Sequence, residues 1–165
     1  MTCTQCQEQE AVTECGICKI SLCKSCRETL DVKDFELLEK KPIALTHAAY
    51  CADCFEQKIR PELVKYETFE KLAKDVYFQS VKFRGYPHIL SKYSKTISIA
   101  KCADRRQLIL MLAYKAVELG YNAIVSADIR SKRIYTDSGY GHYDWSGSAI
   151  PANINGVLFE ASNVD

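Results

Sequence analysis

Apolar residues recur at three- and four-residue spacing in two stretches of the chain. The first covers about 61–77, and its apolar positions are Leu63, Val64, Tyr66, Phe69, Leu72, Ala73, Val76 and Tyr77. The second covers 103–119, with Asp104 placed to favour its start and Gly120 placed to end it. Such spacing collects apolar side chains on one helix face, so both stretches are predicted to be helices.

Alternating or continuous apolar runs predict strands on both sides of the second helix. Two runs, 79–84 and 95–102, precede the helix, and two others, 122–135 and 145–150, follow it. A polar and aromatic loop is expected at 136–144. The fold class predicted for the whole chain is α+β. Its C-terminal part is expected to have a mainly antiparallel sheet and one principal helix.

The remaining segments have weaker patterns. Residues 27–41 carry apolar side chains among many charges and fit either a short helix or a hairpin. Residues 44–50 are expected to be extended, and a helix is expected to begin at Ala52 or Asp53. The last segment, 151–165, is expected to form a loose tail.

Eight of the nine cysteines lie before residue 55, in four Cys-x-x-Cys pairs. The pairs are Cys3/Cys6, Cys15/Cys18, Cys23/Cys26 and Cys51/Cys54. Two residues between cysteines let both thiolates of one tight turn point at the same ion, and two such pairs complete a tetrahedral sulfur site for zinc. The chain is therefore predicted to bind two Zn²⁺ ions in closed four-thiolate sites. Four pairs within 52 residues argue against a redox role for any one pair.

Two ways of sharing the ions between the pairs are open. The loops between pairs are eight, four and twenty-four residues long. Loops this short favour an interleaved scheme, in which the first pair shares an ion with the third and the second with the fourth. Sequential sharing is the alternative. His47 is a further candidate ligand, but we interpret it as a surface or near-site histidine, because eight thiolates already satisfy two ions.

The spacing from Cys3 to Cys26, with Leu22 just before the third pair, resembles cross-brace zinc fingers such as the B-box, FYVE and RING fingers. The resemblance covers about a third of the chain and implies metal binding. FYVE fingers grip a phosphoinositide with a basic cluster around the third pair, where residues 19–23 read Lys-Ile-Ser-Leu-Cys, so lipid binding is not expected. B-boxes end in histidines, and RING ligases usually include one among their ligands, whereas all four pairs here are cysteines.

A second resemblance lies in the C-terminal half. Residues 108–128 end in Ala-Tyr-Lys-Ala-Val-Glu-Leu-Gly-Tyr-Asn-Ala-Ile-Val-Ser-Ala-Asp, which looks like the YbjQ family of small bacterial proteins, and 146–150 matches the closing strand of that family. The resemblance spans about 78–150. It implies an α+β subunit of a homo-oligomer, a pentamer in that family, which is described as heavy-metal-binding. Tyr121 and Ser126 depart from the small residue and the glycine of the family pattern.

The cysteine distribution predicts two domains joined by a helix. Residues 1–60 would form the two-zinc finger, 61–77 the linker helix and 78–165 the YbjQ-like α+β domain. A segment of about 55 residues buries too little apolar surface to be stable without a metal or disulfides. The longer C-terminal segment can build its own core.

Charge and hydropathy limit the partners that we expect. Residues 1–60 hold eight Lys/Arg against ten Asp/Glu, and each zinc with four thiolates adds about −2. An acidic finger argues against nucleic-acid binding, which needs clustered basic residues. No apolar run reaches the length of a membrane span. We expect no leader peptide, and reduced thiols indicate a cytoplasmic location.

Two candidate sites lie outside the cysteine pairs. In the segment 135–145, His142 with Asp137 and Asp144 could ligate a metal. The alternative is a flexible hairpin loop, whose glycines and aspartate suit turn geometry. Cys102 could be a reactive thiol, although a buried core cysteine is the commoner outcome. No catalytic motif accompanies them, so the chain is predicted not to be an enzyme and no catalytic residue is assigned.

Three functional hypotheses follow. The favoured one is a zinc-binding protein-interaction module, with an unidentified protein partner, carried on an oligomerising α+β domain. The second is metal sensing or storage, in which the ions would exchange readily. The third is an enzyme, for example with a ubiquitin-ligase-like finger. Closed four-thiolate sites bind zinc by roughly 10 kcal/mol or more and couple it to folding, which favours the first hypothesis.

Overall fold

The computed structural model of the chain describes residues 1–31, 33–85 and 87–155. The chain divides into two units, Met1–Thr68 and Phe69–Asp165. The first unit is cysteine-rich with one small hairpin, and the second has a mainly antiparallel sheet with one long helix. The predicted α+β fold class is confirmed.

The first unit contains little regular structure before its helical segment. Strands β1 (Thr13–Glu14) and β2 (Ser21–Leu22) form an antiparallel hairpin. The prediction that 44–50 is extended is wrong for the first residues of that segment, because they belong to a 3-10 turn at Ile43–Leu45. That turn is closed by Thr46, whose backbone N–H and hydroxyl both donate to the Ile43 carbonyl. The hydroxyl distance is 2.8 Å.

The segment between the third and fourth cysteine pairs is held by aromatic packing. Phe35 is buried, with a positive φ of 61°, and its ring centroid lies 5.0 Å from that of Tyr66. The Leu37 backbone N–H donates to the Tyr66 hydroxyl at 3.2 Å. Residues 33–37 form turns, so neither the helix nor the hairpin considered for this segment is present there.

A helical run begins at the last cysteine pair. It starts as α1 (Ala52–Cys54), continues as a π-helical segment at Phe55–Ile59 and becomes α2 (Arg60–Lys74). The predicted start at Ala52 is confirmed. α2 ends three residues earlier than the predicted end at 77, because the backbone N–H of Tyr77 donates to the Asn122 carbonyl in strand pairing.

The second unit is built on a five-stranded sheet. Its strands are β3 (Tyr77–Ser80), β4 (Ile89–Lys92), β5 (Ile97–Cys102), β6 (Ala123–Tyr135) and β7 (Gly141–Ile154). The strand order is β3-β6-β7-β4, and β5 also pairs with β7. Only the β3–β6 pair is parallel within the described part of the chain. β4 and β5 pair with successive parts of β7, since Ile89 lies opposite Ile154 and Ile97 opposite Ala149.

The strand boundaries differ from those predicted. The first strand lies at 77–80 rather than 79–84, because Tyr77 pairs with Ala123. β4 was not predicted at all. The loop expected at 136–144 is a shorter turn, since Tyr135 pairs with Gly141. β7 continues through 151–154 instead of ending at 150, so the first part of the predicted tail is a strand, whereas 156–165 lies outside the described residues.

The principal helix, α3 (Arg105–Glu118), begins two residues later and ends one residue earlier than the predicted 103–119, and the residues expected to mark its ends do so. The Asp104 side chain accepts the Gln107 backbone N–H at 3.0 Å, and Gly120 has a φ of +83° that suits glycine. Its fully buried side chains include Leu108, Leu112 and Ala116. α3 contacts β5, β6 and β7. No helix among the described residues has the length and apolar character of a membrane span.

The second unit should depend on the apolar contacts of α3. Leu112 is fully buried, so Leu112→Ala is expected to lower the free energy of unfolding by about 2–5 kcal/mol. The matched control is Leu119→Ala, because Leu119 is 42% exposed and its loss should cost about 0.5 kcal/mol or less. Urea unfolding followed by fluorescence of Trp145, the single tryptophan, measures both. Equal effects of the two changes would contradict this account of the core.

Candidate metal centre

The structure brings the eight paired cysteines together in two groups of four. Site 1 consists of Cys3, Cys6, Cys23 and Cys26, and site 2 consists of Cys15, Cys18, Cys51 and Cys54. Within each site the four sulfur atoms all lie within 4.8 Å of one another. The first pair thus meets the third and the second meets the fourth, which is the grouping of the interleaved scheme.

The distances between sulfur atoms suit tetrahedral coordination of a metal ion. Cys6 Sγ and Cys23 Sγ lie 3.8 Å apart in site 1, and Cys18 Sγ and Cys51 Sγ lie 3.6 Å apart in site 2. Four sulfur atoms placed tetrahedrally about 2.3 Å from zinc are separated by about 3.8 Å. A disulfide requires about 2.05 Å, and all nine cysteines are free thiols. Each site could therefore hold a metal ion.

The first and second cysteine pairs share one backbone geometry. Gln7 and Lys19 each follow the second cysteine of a pair and have positive φ angles of 59° and 65°. Their N–H groups donate to the carbonyls of Cys3 and Cys15, at 2.9 and 3.0 Å. The repeated turn directs both side chains of a pair to one side, so the two sites are built by the same local device.

In site 1, hydrogen bonding prepares Cys3 to ionise. The backbone N–H of Cys6 donates to its sulfur, and together with the N–H groups of Cys23 and Gln5 it lowers the pKa of Cys3 to about 6, against the effect of burial. Cys26 is shifted the other way. Hydrogen bonding to the Cys23 thiol, with burial, raises the pKa of Cys26 to about 12. Metal binding must displace that proton, so affinity should rise with pH.

Site 2 repeats this arrangement. Burial opposes ionisation of Cys15, but the backbone N–H groups of Cys18, Cys51 and Ile17 donate to its sulfur and lower its pKa to about 6. Burial and hydrogen bonding to the Cys51 thiol raise the pKa of Cys54 to about 12. Burial also raises the pKa of Cys51. Each site therefore has one cysteine with a lowered pKa and at least one, Cys26 in site 1 and Cys51 and Cys54 in site 2, whose raised pKa means that a metal must displace its proton.

The two cysteines of a pair differ in exposure. The first cysteine of every pair is buried: Cys3, Cys15, Cys23 and Cys51. Among the second cysteines, Cys6, Cys26 and Cys54 are partly exposed, and Cys18 is exposed. Each site therefore lies just below the surface of the first unit, with its inner half covered by protein.

Backbone pairing connects the two sites. Glu28, two residues after the third pair, exchanges two hydrogen bonds with Tyr50, at 2.8 and 2.9 Å. Tyr50 immediately precedes the fourth pair, so this bridge joins a segment of site 1 to a segment of site 2. The Thr4 N–H, within the first pair, donates to the Ser21 carbonyl of β2 at 2.9 Å. The sites are interlocked through the backbone as well as through their ligands.

Tyr50 and Cys51 organise the fourth pair. The Tyr50 side chain is fully buried, and its hydroxyl donates to the Ala44 carbonyl at 2.8 Å. The His47 N–H donates to the same hydroxyl at 3.2 Å. Cys51 is the N-cap of α1, and its sulfur accepts the Cys54 N–H at 3.4 Å. The start of the helical run is therefore part of site 2.

His47 lies beside site 2 without belonging to the group of four. A Cβ atom at Gly16, inside the second pair, would come within 2.1 Å of His47 Cγ, so only glycine leaves room for the imidazole. The Gly16 N–H donates to the Ala49 carbonyl at 2.9 Å. This contact agrees with the interpretation of His47 as a near-site histidine, but the packing against Gly16 was not foreseen.

The other candidate metal site does not assemble. His142 Nε2 lies 3.5 Å from Asp144 Oδ1, and Lys101 Nζ lies 3.3 Å from Asp144 Oδ2. Asp137 joins neither contact, and the described residues contain no metal-binding group of three or more at this position. Asp144 is thus placed between two basic side chains.

Cys102 is a buried thiol at the end of β5. Its sulfur donates to the Asp104 carbonyl at 3.2 Å and lies 3.5 Å from Gln107 Oε1. Both partners belong to the start of α3, so the thiol links the strand to the helix that follows. This is the buried alternative considered for Cys102.

No protein family, curated protein or solved structure matches this chain. The two sulfur clusters define the chain as a protein with two four-cysteine sites that could hold metal ions.

The contact between Gly16 and His47 gives a test of site 2. Gly16→Ala is expected to displace the imidazole and loosen the second pair, at a cost of about 1–3 kcal/mol in stability of the metal-bound unit. The change should speed metal transfer to a chelator from one site only. Removing the obstructing side chain, in Gly16→Ala/His47→Gly, should restore most of the retention. A double variant as labile as Gly16→Ala would contradict the proposed contact.

Proposed function

We propose that the protein binds two zinc ions as structural ions, and that the zinc-held first unit is a protein-interaction module carried on a self-associating second unit. The observation that supports zinc most strongly is that four sulfur atoms lie within 4.8 Å of one another in each site, with one sulfur–sulfur distance of 3.8 Å in site 1 and one of 3.6 Å in site 2. Soft thiolates in tetrahedral S₄ geometry suit zinc or iron. Zinc is the proposed ion because closed sites of this kind in small fingers are zinc sites.

A structural role follows from how the ligands are distributed. Each site takes one pair from each of two distant segments: Cys23 lies 17 positions after Cys6, and Cys51 lies 33 positions after Cys18. Between them lie strands of only two residues each. An ion in each site would therefore fix the path of the chain. Four thiolates leave no open coordination position for a substrate.

An interaction role is supported by exposed apolar side chains on the first unit. Ile43 is 80% exposed and Val12 is 62% exposed, although Ile43 lies in a 3-10 turn and the Val12 N–H donates to the Leu22 carbonyl of β2. Rigid presentation of apolar groups is what a recognition surface requires, because little conformational entropy is lost on binding. The partner is proposed to be another protein, which these groups would contact.

Self-association is proposed for the second unit from its resemblance to the YbjQ family. The β6–β7 hairpin carries three exposed aromatic side chains, Tyr135, Tyr140 and Tyr143. Exposed aromatic residues are enriched in protein interfaces. These rings are the surface that we propose to be covered by another copy.

Native mass spectrometry of protein purified without added metal tests the zinc and assembly proposals together. We expect two zinc ions per chain in the wild type and at most one in Cys23→Ser. The matched control is Cys102→Ser, which removes the only cysteine outside the two sites and should keep both ions. Two ions in Cys23→Ser, another metal, or disulfides in place of zinc would contradict the assignment. A monomer would contradict self-association alone.

The scaffold role predicts how zinc leaves. Because the ions hold the first unit together, transfer to a chelator should be slow and should coincide with loss of hydrogen-exchange protection in residues 1–59, while α3 stays protected. Rapid loss of zinc from a first unit that remains protected would indicate cargo, and would favour metal storage or sensing. Hydrogen exchange followed by mass spectrometry during chelation distinguishes these outcomes.

A further inference from the structure

We propose that site 2 is an oxidation-sensitive site, at which hydrogen peroxide joins Cys18 to Cys51 in a disulfide and releases the zinc ion, while site 1 retains its ion. This inference rests on the proposed function, because it requires zinc in both sites. It deepens that function by making one of the two structural ions removable.

The two sites differ in the access that they give to an oxidant. Cys18 is exposed, whereas Cys6, at the same position of site 1, is only partly exposed. No ligand of site 1 is exposed to the extent of Cys18. Metal coordination holds a cysteine as its thiolate, which is the form that reacts with peroxide, and susceptibility then follows exposure. Cys18 is therefore the sulfur that a dissolved oxidant reaches first.

The second sulfur of the disulfide is already close. Cys51 Sγ lies 3.6 Å from Cys18 Sγ, so the two atoms must approach by about 1.6 Å to reach disulfide length. Cys51 is fixed as the N-cap of α1 and is buried, which protects it from direct attack by the oxidant. The surface cysteine is thus oxidised, and the buried cysteine resolves it.

The chemistry proceeds in two steps. The Cys18 thiolate attacks one oxygen of hydrogen peroxide, the O–O bond breaks, and hydroxide leaves, so the sulfur becomes a sulfenic acid as the peroxide is reduced by two electrons. The Cys51 thiolate then attacks the Cys18 sulfur, the S–O bond breaks and a second hydroxide leaves. Solvent protons convert both hydroxides to water. The zinc ion itself neither gains nor loses electrons.

The result is a site with half its ligands. Only Cys15 and Cys54 remain as sulfur ligands, and two ligands do not hold zinc against a strong chelator. The disulfide still joins the second pair to the fourth, across the 33 positions that the ion had bridged. The first unit therefore keeps a covalent link in place of the ion, and a dithiol reductant restores the original ligands.

Peroxide titration of the two-zinc protein with a colour-forming zinc chelator tests this inference. We expect one of the two zinc ions to be released at low peroxide, with peptide mapping showing a Cys18–Cys51 disulfide and unmodified site 1 cysteines. Treatment with dithiothreitol and zinc should restore the ion of site 2. Release of both ions together, earlier release from site 1, or a disulfide that joins other cysteines would overturn the proposal.

The matched variants replace one cysteine by histidine, which binds zinc but cannot be oxidised to a sulfenic acid. Cys18→His makes site 2 a Cys₃His site, a normal zinc site, and should abolish the early release. Cys6→His makes the corresponding change in site 1 and should leave the early release from site 2. Early release that survives Cys18→His would overturn the inference.

Two readouts keep the tests separate. If Cys18→His loses zinc before peroxide is added, mapping of disulfides in the wild type decides the question alone. Wild-type protein without zinc at the start would refute the proposed function and this inference together. Two bound zinc ions that peroxide does not release selectively would refute this inference only.

Discussion

The first unit depends on the interleaving of its four cysteine pairs. Neither site is formed by neighbouring pairs, so each ion would tie together segments that local structure cannot join. The strands there are two residues long, and a two-stranded hairpin is marginal in water. Four-thiolate zinc binding contributes about 10–16 kcal/mol, comparable to the whole stability of an ordinary domain, about 5–15 kcal/mol. Zinc would thus supply most of the free energy that orders this unit.

Apolar burial, by contrast, stabilises the second unit. α3 covers one face of the sheet with fully buried side chains such as Leu108 and Leu112. Its ends are fixed by a side-chain cap at Asp104 and a left-handed Gly120. None of its described residues belongs to a metal-binding group. The chain therefore combines two units with different sources of stability, and loss of metal should affect only the first of them.

The features that the sequence predicted well are those set by local chemistry. The Cys-x-x-Cys spacing and the short loops indicated the grouping of cysteines, and the signals at Asp104 and Gly120 marked the ends of α3. The errors arose where contacts with residues distant in the sequence determine the local conformation. β7 includes the polar residues from Gly141 onward because β6 lies opposite them, and Phe35 adopts its positive φ where it packs against Tyr66. No local sequence pattern predicts either contact.

X-ray absorption at the zinc edge tests most directly whether each ion is held by four thiolates. The spectrum averages over both ions, so one nitrogen or oxygen ligand in either site would replace one of the eight sulfur ligands in the averaged shell. Two closed sites of this kind predict a single shell of four sulfur atoms at about 2.3 Å. A shell of nitrogen or oxygen at about 2.0–2.1 Å would mean that histidine or water completes a site. That result would contradict the assignment of all eight paired cysteines as ligands.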